Sequence, residues 1–155
     1  MNKLLIKTIH EDAIIPFYAH STDAGVDLFT VEDTTIEPFT AKAIKTGLTI
    51  ALPQGTEGQI RPRSGNSLKG VPCIVDEEDC VSNMYIQVII GTVDEQYRGE
   101  IGIITFNPYN IPLTVPKGTK LAQMVINKVE RPVIELVNEL DETDRGTNGF
   151  GSTGV

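Results

Sequence analysis

The sequence predicts an all-β fold, built as a sandwich or barrel of short strands. Apolar side chains recur at every second position in several stretches, which is the spacing that turns one face of a strand toward a core. These stretches end at Pro or Gly, and the chain contains 9 prolines and 14 glycines, as expected for many strands joined by turns. Its 155 residues are enough for one domain with a core of its own.

Five stretches carry the strand pattern, in chain order. Residues 4–8, 44–52 and 101–107 alternate apolar and polar side chains, and residues 121–126 and 133–137 are compact runs rich in β-branched side chains. The positions predicted to face the core in the two longest stretches are Ile44, Thr46, Leu48, Ile50, Leu52, Ile101, Ile103, Thr105 and Asn107.

The charge balance argues against nucleic acid and membrane surfaces as partners. Asp and Glu number 21 against 13 Lys and Arg, and the formal net charge of −8 repels DNA, RNA and anionic lipid. No stretch approaches the roughly 20 apolar residues of a membrane-spanning helix. The N-terminus lacks the pattern of a signal peptide. We therefore expect the chain in the cytoplasm, or in the host cytoplasm if it is viral.

Residues 71–84 form an acidic stretch that contains both cysteines, Cys73 and Cys80. No further Cys or His lies near enough for a zinc motif, so we expect two reduced thiols. The residues at 76–79 are all acidic, but a calcium loop would need spaced oxygen ligands and a turn glycine. We expect a solvated loop or the tip of a hairpin.

Five short clusters gather most of the glycines and part of the positive charge. They contain nine of the 14 glycines and three of the five arginines, Arg63, Arg98 and Arg145. In an acidic chain, such local positive charge indicates a small polyanion as the ligand. The clusters lie at residues 24–28, 62–65, 91–100, 118–123 and 145–154.

The last cluster has the composition of a phosphate-binding loop. Glycine allows backbone N–H groups to approach a phosphate closely. Ser152 and Thr153 add hydroxyl donors, and Arg145 adds a guanidinium that can bind two oxygens. Phe150 stands between two glycines, where its ring is able to lie flat on a base. The Walker A ending is missing, and a disordered polar tail explains the same composition equally well.

Three other clusters hold side chains with both a chemical and a structural interpretation. Arg63 ends a strand, and a helical turn predicted at Ser64–Lys69, with Ser64 as its N-cap, would make an anion site there. Asp94 is able to accept a proton from water, although turn aspartates more often cap their own backbone. Gln123 fits a half-buried, satisfied amide as well as a ligand contact.

In this order the five clusters resemble the five motifs of the deoxyuridine triphosphatase (dUTPase) family in its trimeric form. The resemblance spans residues 24–154 and is most specific in the third and fifth motifs. It implies a distorted β jelly roll over residues 1–140, assembled as a homotrimer with shared active sites. Residues 141–155 would form a mobile Gly-rich arm that closes over an active site.

The resemblance also implies a reaction, the hydrolysis of dUTP to dUMP and pyrophosphate. Asp94 corresponds to the general base that activates a water for attack on the α-phosphorus. Mg²⁺ joins the three phosphates, and Asp27 resembles the acid that contacts this metal through a water. Such an enzyme keeps uracil out of DNA and supplies dUMP for thymidylate synthesis.

The substrate-binding residues implied by the resemblance form two groups. Backbone from residues 88–93 pairs with the polar edge of uracil, Tyr97 packs on deoxyribose and excludes a 2′-hydroxyl, and Phe150 stacks on uracil. The uracil and sugar group is Val88, Gly91, Thr92, Val93, Tyr97 and Phe150. The phosphate group is Arg63, Ser64, Gly65, Gln123, Arg145, Gly151, Ser152 and Thr153.

Some features depart from the family pattern. Asn66 stands where the second motif usually has an apolar residue, and Gly70 replaces a polar residue after Lys69. The acidic stretch 71–84 also makes the spacing between the second and third motifs longer than in compact members. Extra surface loops often bind other molecules, so this insert loop is a candidate contact for a protein partner.

Two other functions are compatible with parts of the pattern. A dCTP deaminase has a similar fold but needs a glutamate acid/base beside the base, whereas residues 94–99 have the Asp-x-x-Tyr-Arg-Gly form of the hydrolase. A non-enzymatic jelly roll, acting as a nucleotide-sensing regulator or a structural trimer, is the second alternative. The joint presence of Asp94, Tyr97 and Arg145 favours the hydrolase.

Overall fold

The computed structural model describes residues 3–75 and 80–147. Within these ranges the chain forms twelve strands and one short helix, which confirms the all-β prediction. The elements are β1 (Leu5–Thr8), β2 (Gly25–Phe29), β3 (Thr34–Ile36), β4 (Ala41–Ala51), β5 (Thr56–Pro62), α1 (Ser64–Lys69), β6 (Val71–Ile74), β7 (Val81–Met84), β8 (Gln87–Val88), β9 (Gly91–Val93), β10 (Glu100–Phe106), β11 (Leu113–Val115) and β12 (Lys120–Lys128). No helix in the described part of the chain is both long and apolar enough to cross a membrane.

The described strands pair into three antiparallel sheets of four strands each. The strand orders are β1-β4-β10-β8, β3-β11-β6-β7 and β2-β12-β5-β9. Most neighbouring strands are distant in sequence: β12, for example, pairs with β2 on one side and with β5 on the other. This interleaving of early and late strands is the arrangement of a jelly roll.

One apolar core joins all three sheets, and the side chains predicted to point inward form much of it. Ile44 and Ile103 are 0% exposed, and Leu48 and Ile101 are 1% exposed. All nine positions predicted to face the core on the two longest stretches are buried, so the period-two pattern correctly identified which face of each strand is covered.

Asn107 is the most extensively bonded polar residue of this core. It is 0% exposed, and its Nδ2 donates to the carbonyl oxygens of Ile36, Glu37 and Ile111 at 3.0, 3.3 and 2.8 Å. Its Oδ1 accepts a hydrogen bond from the backbone N of Tyr109 at 3.0 Å. A buried amide needs such partners, and these bonds join the end of β3 to the turn after β10.

The prediction of a strand at residues 133–137 is wrong. Residues 129–137 have no regular secondary structure, and Val133, Ile134 and Leu136 are 94%, 97% and 97% exposed. The side chains favour a strand, but a strand also needs a neighbour to pair with. No described strand of the same chain pairs with this segment.

Residues 71–84, expected as an insert loop, are largely part of a sheet. β6 and β7 form an antiparallel hairpin, and β6 also pairs with β11. Val71 and Cys73 are 1% and 0% exposed and belong to the core. Within this stretch, only the acidic residues 76–79 lie outside the described residues.

The helix α1 forms where it was predicted, but its N-cap differs. Arg63 occupies the cap position with extended backbone, and Ser64 is the first helical residue. At the other end Gly70 has a φ of 84°, and a Cβ there would lie 3.0 Å from the backbone of Asn83 on β7. A glycine is therefore needed where the helix turns into the hairpin.

Candidate functional site

One sheet brings four of the five sequence clusters together. In the sheet β2-β12-β5-β9, Asp27 on β2 lies opposite Gln123 on β12, and Gln123 in turn lies opposite Arg61 on β5. Ile60 on β5 lies opposite Gly91 on β9. Because neighbouring strands are only about 4.8 Å apart, clusters far apart in sequence become adjacent across this sheet.

Asp27 is the centre of a network of ion pairs. The residue is 7% exposed, its Oδ1 accepts a hydrogen bond from Arg63 Nε at 2.9 Å, and its Oδ2 lies 2.9 Å from Lys120 Nζ. Two cations around one carboxylate leave an excess of positive charge at this end of the sheet. That excess favours an anionic ligand such as a phosphate.

Lys120 was not predicted as a site residue. Its Nζ lies 5.4 Å from the ring centroid of Phe17 and 5.5 Å from that of Phe29, and the two rings stack with their centroids 5.9 Å apart. Cation–π contact and the ion pair with Asp27 together fix this side chain. In the sequence, the signal that could have identified Lys120 was its position as a cation within the cluster at residues 118–123.

Helix α1 places the predicted phosphate-binding residues at the end of β5. Ser64 and Gly65 begin the helix and are exposed, next to Arg63. Asn66, which departs from the family pattern, donates from Nδ2 to two successive carbonyl oxygens of β12 at 2.9 and 3.1 Å. The unusual residue therefore holds the helix against the strand that carries Lys120.

Gln123 has the contact that its structural interpretation predicted. It is half-buried, and its Nε2 donates to the carbonyl oxygen of Pro62 at 3.1 Å. The amide thus ties β12 to the last residue of β5, immediately before Arg63. Direct binding of a phosphate by Gln123 stays a prediction.

Asp94 opens a tight turn after β9. The backbone N of Tyr97 donates to the carbonyl oxygen of Asp94 at 3.0 Å, and Asp94 itself is exposed. Arg98 Nη1 donates to the carbonyl oxygens of Glu95 and Tyr97 at 2.8 and 2.7 Å. These bonds fix the backbone of the turn, and the exposed carboxylate of Asp94 extends from that fixed backbone.

Tyr97 folds back over the end of the same turn. Its hydroxyl donates to the carbonyl oxygen of Glu100 at 3.1 Å, and the side chain is partly exposed. A Cβ added at Gly99 would collide with the Tyr97 ring, coming within 2.9 Å of Cε2 and closer still to the hydroxyl. Gly99 is therefore required for the position of Tyr97.

Two cavities are lined by part of the predicted site residues. A cavity of about 160 Å³ is lined by Gly91, Thr92, Val93, Asp94 and Tyr97, with apolar side chains of β5 and β10 behind them. A second cavity, of about 290 Å³, is lined by Arg63 and Val88, together with Asn66, Ser67, Tyr85 and Gln87. The structure thus gathers four of the uracil and sugar residues around Asp94, and places Val88 beside Arg63 instead.

The predicted arm is described only in part. Arg145 is exposed and lies in a turn in which Gly146 N donates to the carbonyl oxygen of Thr143 at 2.9 Å. The remaining predicted residues of the arm, Phe150, Gly151, Ser152 and Thr153, lie outside the described residues. The predicted division at residue 140 and the closing of the arm stay predictions.

The donor set at the site fits a metal carried by a substrate. Among the described residues, no group of three or more His, Cys, Asp or Glu is arranged to hold a metal ion. Asp27 is the candidate, and each of its oxygens already has one cationic partner. Because Mg²⁺ commonly keeps several waters and binds substrate phosphates, a single carboxylate that touches it through water is sufficient.

The chain matches known proteins along its whole length. A family model for dUTPase matches residues 11–154. The deoxyuridine 5'-triphosphate nucleotidohydrolase of Trichodesmium erythraeum is 50% identical over 153 residues, which cover 99% of each chain.

Solved structures show the same similarity. A mutant dUTPase of Staphylococcus bacteriophage 80alpha with dUpNHpp superposes with a TM-score of 0.84, at 28% identity and full coverage of both chains. A mutant dUTPase from phage phi11 of S. aureus, described with a structural Mg(II) ion, has a TM-score of 0.75 at 27% identity, covering 89% of this chain and 98% of the phage chain. The fold, the ordered clusters and these matches agree, and the chain belongs to the dUTPase family.

Proposed function

We propose that the chain hydrolyses dUTP to dUMP and pyrophosphate, with Asp94 as the base that activates the attacking water. The observation that carries the proposal is the position of Asp94, exposed on a braced turn and lining the same cavity as Tyr97. A carboxylate within reach of a bound water is suited to general base catalysis. Membership of the dUTPase family supports the same reaction.

The chemical step is a displacement at the α-phosphorus. A water oxygen forms a bond to that phosphorus, its proton passes to the Asp94 carboxylate, and the bond to the oxygen bridging the α- and β-phosphates breaks. The departing group is pyrophosphate. Since phosphoryl transfer depends mostly on positioning and charge neutralisation, the surrounding residues act by holding the triphosphate and the water in line.

The phosphates are proposed to bind around Arg63. Its Nε is used by Asp27, so among the described contacts its two terminal nitrogens are left for phosphate oxygens. A guanidinium suits phosphate because it presents parallel donors. The other proposed phosphate residues are Ser64, Gly65, Gln123, Arg145, Gly151, Ser152 and Thr153.

Uracil is proposed to pair with the backbone of β9. In the described sheet, β9 is the last strand and pairs with β5 alone, so its other backbone edge has unpaired N–H and C=O groups. Such groups match the polar edge of uracil, and a site built for one hydrogen-bonding pattern strongly rejects another. Tyr97 is proposed to pack on the deoxyribose and Phe150 on the base.

Mg²⁺ is proposed to arrive with the triphosphate. When bound, it would neutralise charge on the phosphates, and Asp27 would hold it only through a water. The network of Asp27 with Arg63 and Lys120 orients the carboxylate for that contact. The phage phi11 dUTPase is described with a structural Mg(II) ion.

We infer that the active unit is a homotrimer whose sites are shared between subunits. Val133, Ile134, Leu136 and Leu140 are 94%, 97%, 97% and 84% exposed in the single chain, and an apolar run of this kind normally marks an interface. Arg63 and Asp94 also line different cavities of one chain, so residues of a neighbour would complete each site. We place this enzyme in the cytoplasm, where its dUMP would supply thymidylate synthesis.

The proposed function is tested by measuring pyrophosphate release from dUTP with Mg²⁺, in parallel with dCTP, dTTP and UTP. We expect turnover of dUTP alone. Ammonia release from dCTP would support the deaminase instead, and binding of dUTP by folded protein without any turnover would support a nucleotide-sensing role. A protein partner at residues 71–84 stays a prediction, because nothing in the described hairpin identifies one.

A further inference from the structure

The side chain of Glu95 holds the turn that carries Asp94. Glu95 follows Asp94 directly, and its Oε2 accepts a hydrogen bond from the backbone N of Gly55 at 2.9 Å. The same oxygen lies 3.2 Å from Nη2 of Arg131. One carboxylate therefore joins three segments: the turn at residues 94–97, the turn between β4 and β5, and the chain that follows β12.

The β4–β5 turn, which Glu95 contacts through Gly55, is itself fixed by a hydrogen bond. The carbonyl oxygen of Gly55 accepts a hydrogen bond from the backbone N of Val129 at 3.0 Å, so the β4–β5 turn is tied to the end of β12. The side chain of Glu95 is 23% exposed, against 58% for Arg131. An ion pair that is partly buried and supported by a backbone donor is more persistent than a pair in open solvent.

No described side-chain contact fixes the direction of the Asp94 carboxylate. Among the described residues, no hydrogen bond or ion pair reaches it, and the residue is exposed. Its direction therefore depends on the backbone of the turn. Arg98 holds that backbone through two carbonyl oxygens, and Glu95 holds it through a side chain anchored outside the turn.

We propose that Glu95 is a positioning residue for dUTP hydrolysis, which holds Asp94 at the distance and angle that the attacking water requires. The inference rests on the proposed role of Asp94 as the base. A misplacement of about 1 Å in a reacting group can cost on the order of 100-fold in rate. Arg131 contributes by offsetting the charge of Glu95 beside that of Asp94.

The test compares kcat and KM for dUTP in full-length variants of the turn. Glu95→Ala removes both contacts, and Glu95→Gln keeps an acceptor for Gly55 N while losing the ion pair. Gln96→Ala is the matched control, because Gln96 is exposed in the same turn and makes no described hydrogen bond. We expect Glu95→Ala to lower kcat by about 10- to 100-fold with KM within about threefold, Glu95→Gln to restore most of the rate, and the control to match the wild type.

The affinity for dUpNHpp and the melting temperature are measured on the same variants. A purely structural role would lower the melting temperature while leaving kcat of the folded enzyme unchanged, and that result would overturn the proposal. If Glu95→Ala does not fold, Glu95→Asp replaces it. Its side chain is one methylene shorter, so we expect a weaker contact with Gly55 N and a lower kcat. Activity in Asp94→Asn would refute the role of the base. An inactive Asp94→Asn beside fully active Glu95 variants would refute only the positioning role.

Discussion

At the residue scale, Lys120 makes several contacts at the site although the sequence did not predict it as a site residue. Its ammonium contacts Asp27 and lies over two aromatic rings. Lys120→Met should therefore weaken the orientation of Asp27 and Arg63 and remove one positive charge near the proposed phosphate site. We expect KM for dUTP to rise by about tenfold (~1.4 kcal/mol). Lys120→Arg keeps the positive charge and should bring KM most of the way back to the wild-type value. An unchanged KM in the methionine variant would exclude this network from phosphate binding.

The proposed sugar selectivity depends on a second residue-scale contact, between Tyr97 and Gly99. Gly99→Ala should displace the tyrosine ring, because the new Cβ would collide with it. We expect the preference for dUTP over UTP to fall by at least about tenfold in both Tyr97→Ala and Gly99→Ala. Tyr97→Phe, which keeps the ring, is the control. Selectivity ratios of kcat/KM check this, and an unchanged ratio in Tyr97→Ala would remove the residue from sugar recognition.

Much of this residue-scale detail could not be predicted from the sequence. Asp27 and Arg63 were each predicted to serve the phosphates or the metal, but their ion pair was not predicted. The pairing depends on the register of β2, β5 and β12, which places residues of three separate clusters side by side. The sequence offers only local spacing, so contacts across a sheet are not visible in it.

At the scale of elements, the period-two pattern was reliable wherever a strand had neighbours. β4 and β10 formed with the predicted inward face, since both are covered by the core. Residues 133–137 carry a comparable composition yet form no strand in the described chain. Composition describes a preference for extended backbone, whereas hydrogen bonding to a partner strand decides whether a sheet forms.

The β6–β7 hairpin gives the two cysteines different chemistry. Burial in the core raises the pKa of the Cys73 thiol from its ordinary 9.0 to about 11, whereas Cys80 is exposed. At pH 8 we expect a thiol reagent to modify Cys80 quickly and Cys73 only after unfolding. Cys80→Ser should abolish the fast phase, and two fast equivalents in native protein would contradict the described packing of β6.

The same raised pKa has a consequence for stability. The unfolded chain releases the thiol proton of Cys73 near pH 9, before the folded chain does near pH 11. The contribution of this thiol to the free energy of unfolding is therefore fully present below about pH 9 and is lost as the pH rises toward 11. Urea unfolding across this range checks the sign.

At the scale of the whole molecule, we propose that one chain alone does not form a complete active site. Ile134 is 97% exposed within an apolar segment, and we expect it to be buried against a neighbouring subunit. Ile134→Asp should therefore reduce both the trimer and the activity, while Glu135→Gln at the next position should change neither. Sedimentation and dUTP turnover measured on the same samples check this, and a fully active monomer would contradict the shared-site account.

Sequence alone was sufficient for the all-β class and the family, and the roles of the site residues stay predictions. It predicted a strand at residues 133–137, where the chain has an exposed segment without regular structure. It described residues 71–84 as a solvated loop or the tip of a hairpin, and did not predict that β6 belongs to the core. Both errors have one cause, because each depends on what lies beside the segment in space. Motifs record the chemistry that a site needs, whereas tertiary neighbours decide the packing.

The proposed role of Asp94 as the base is tested by comparing turnover and binding in Asp94→Asn. The substitution keeps the size of the side chain and removes its ability to take the proton. We predict that pyrophosphate release from dUTP falls by at least about 1,000-fold (~4 kcal/mol), while affinity for dUpNHpp changes by less than about threefold. A rate within about tenfold of the wild type would show that Asp94 is not the base.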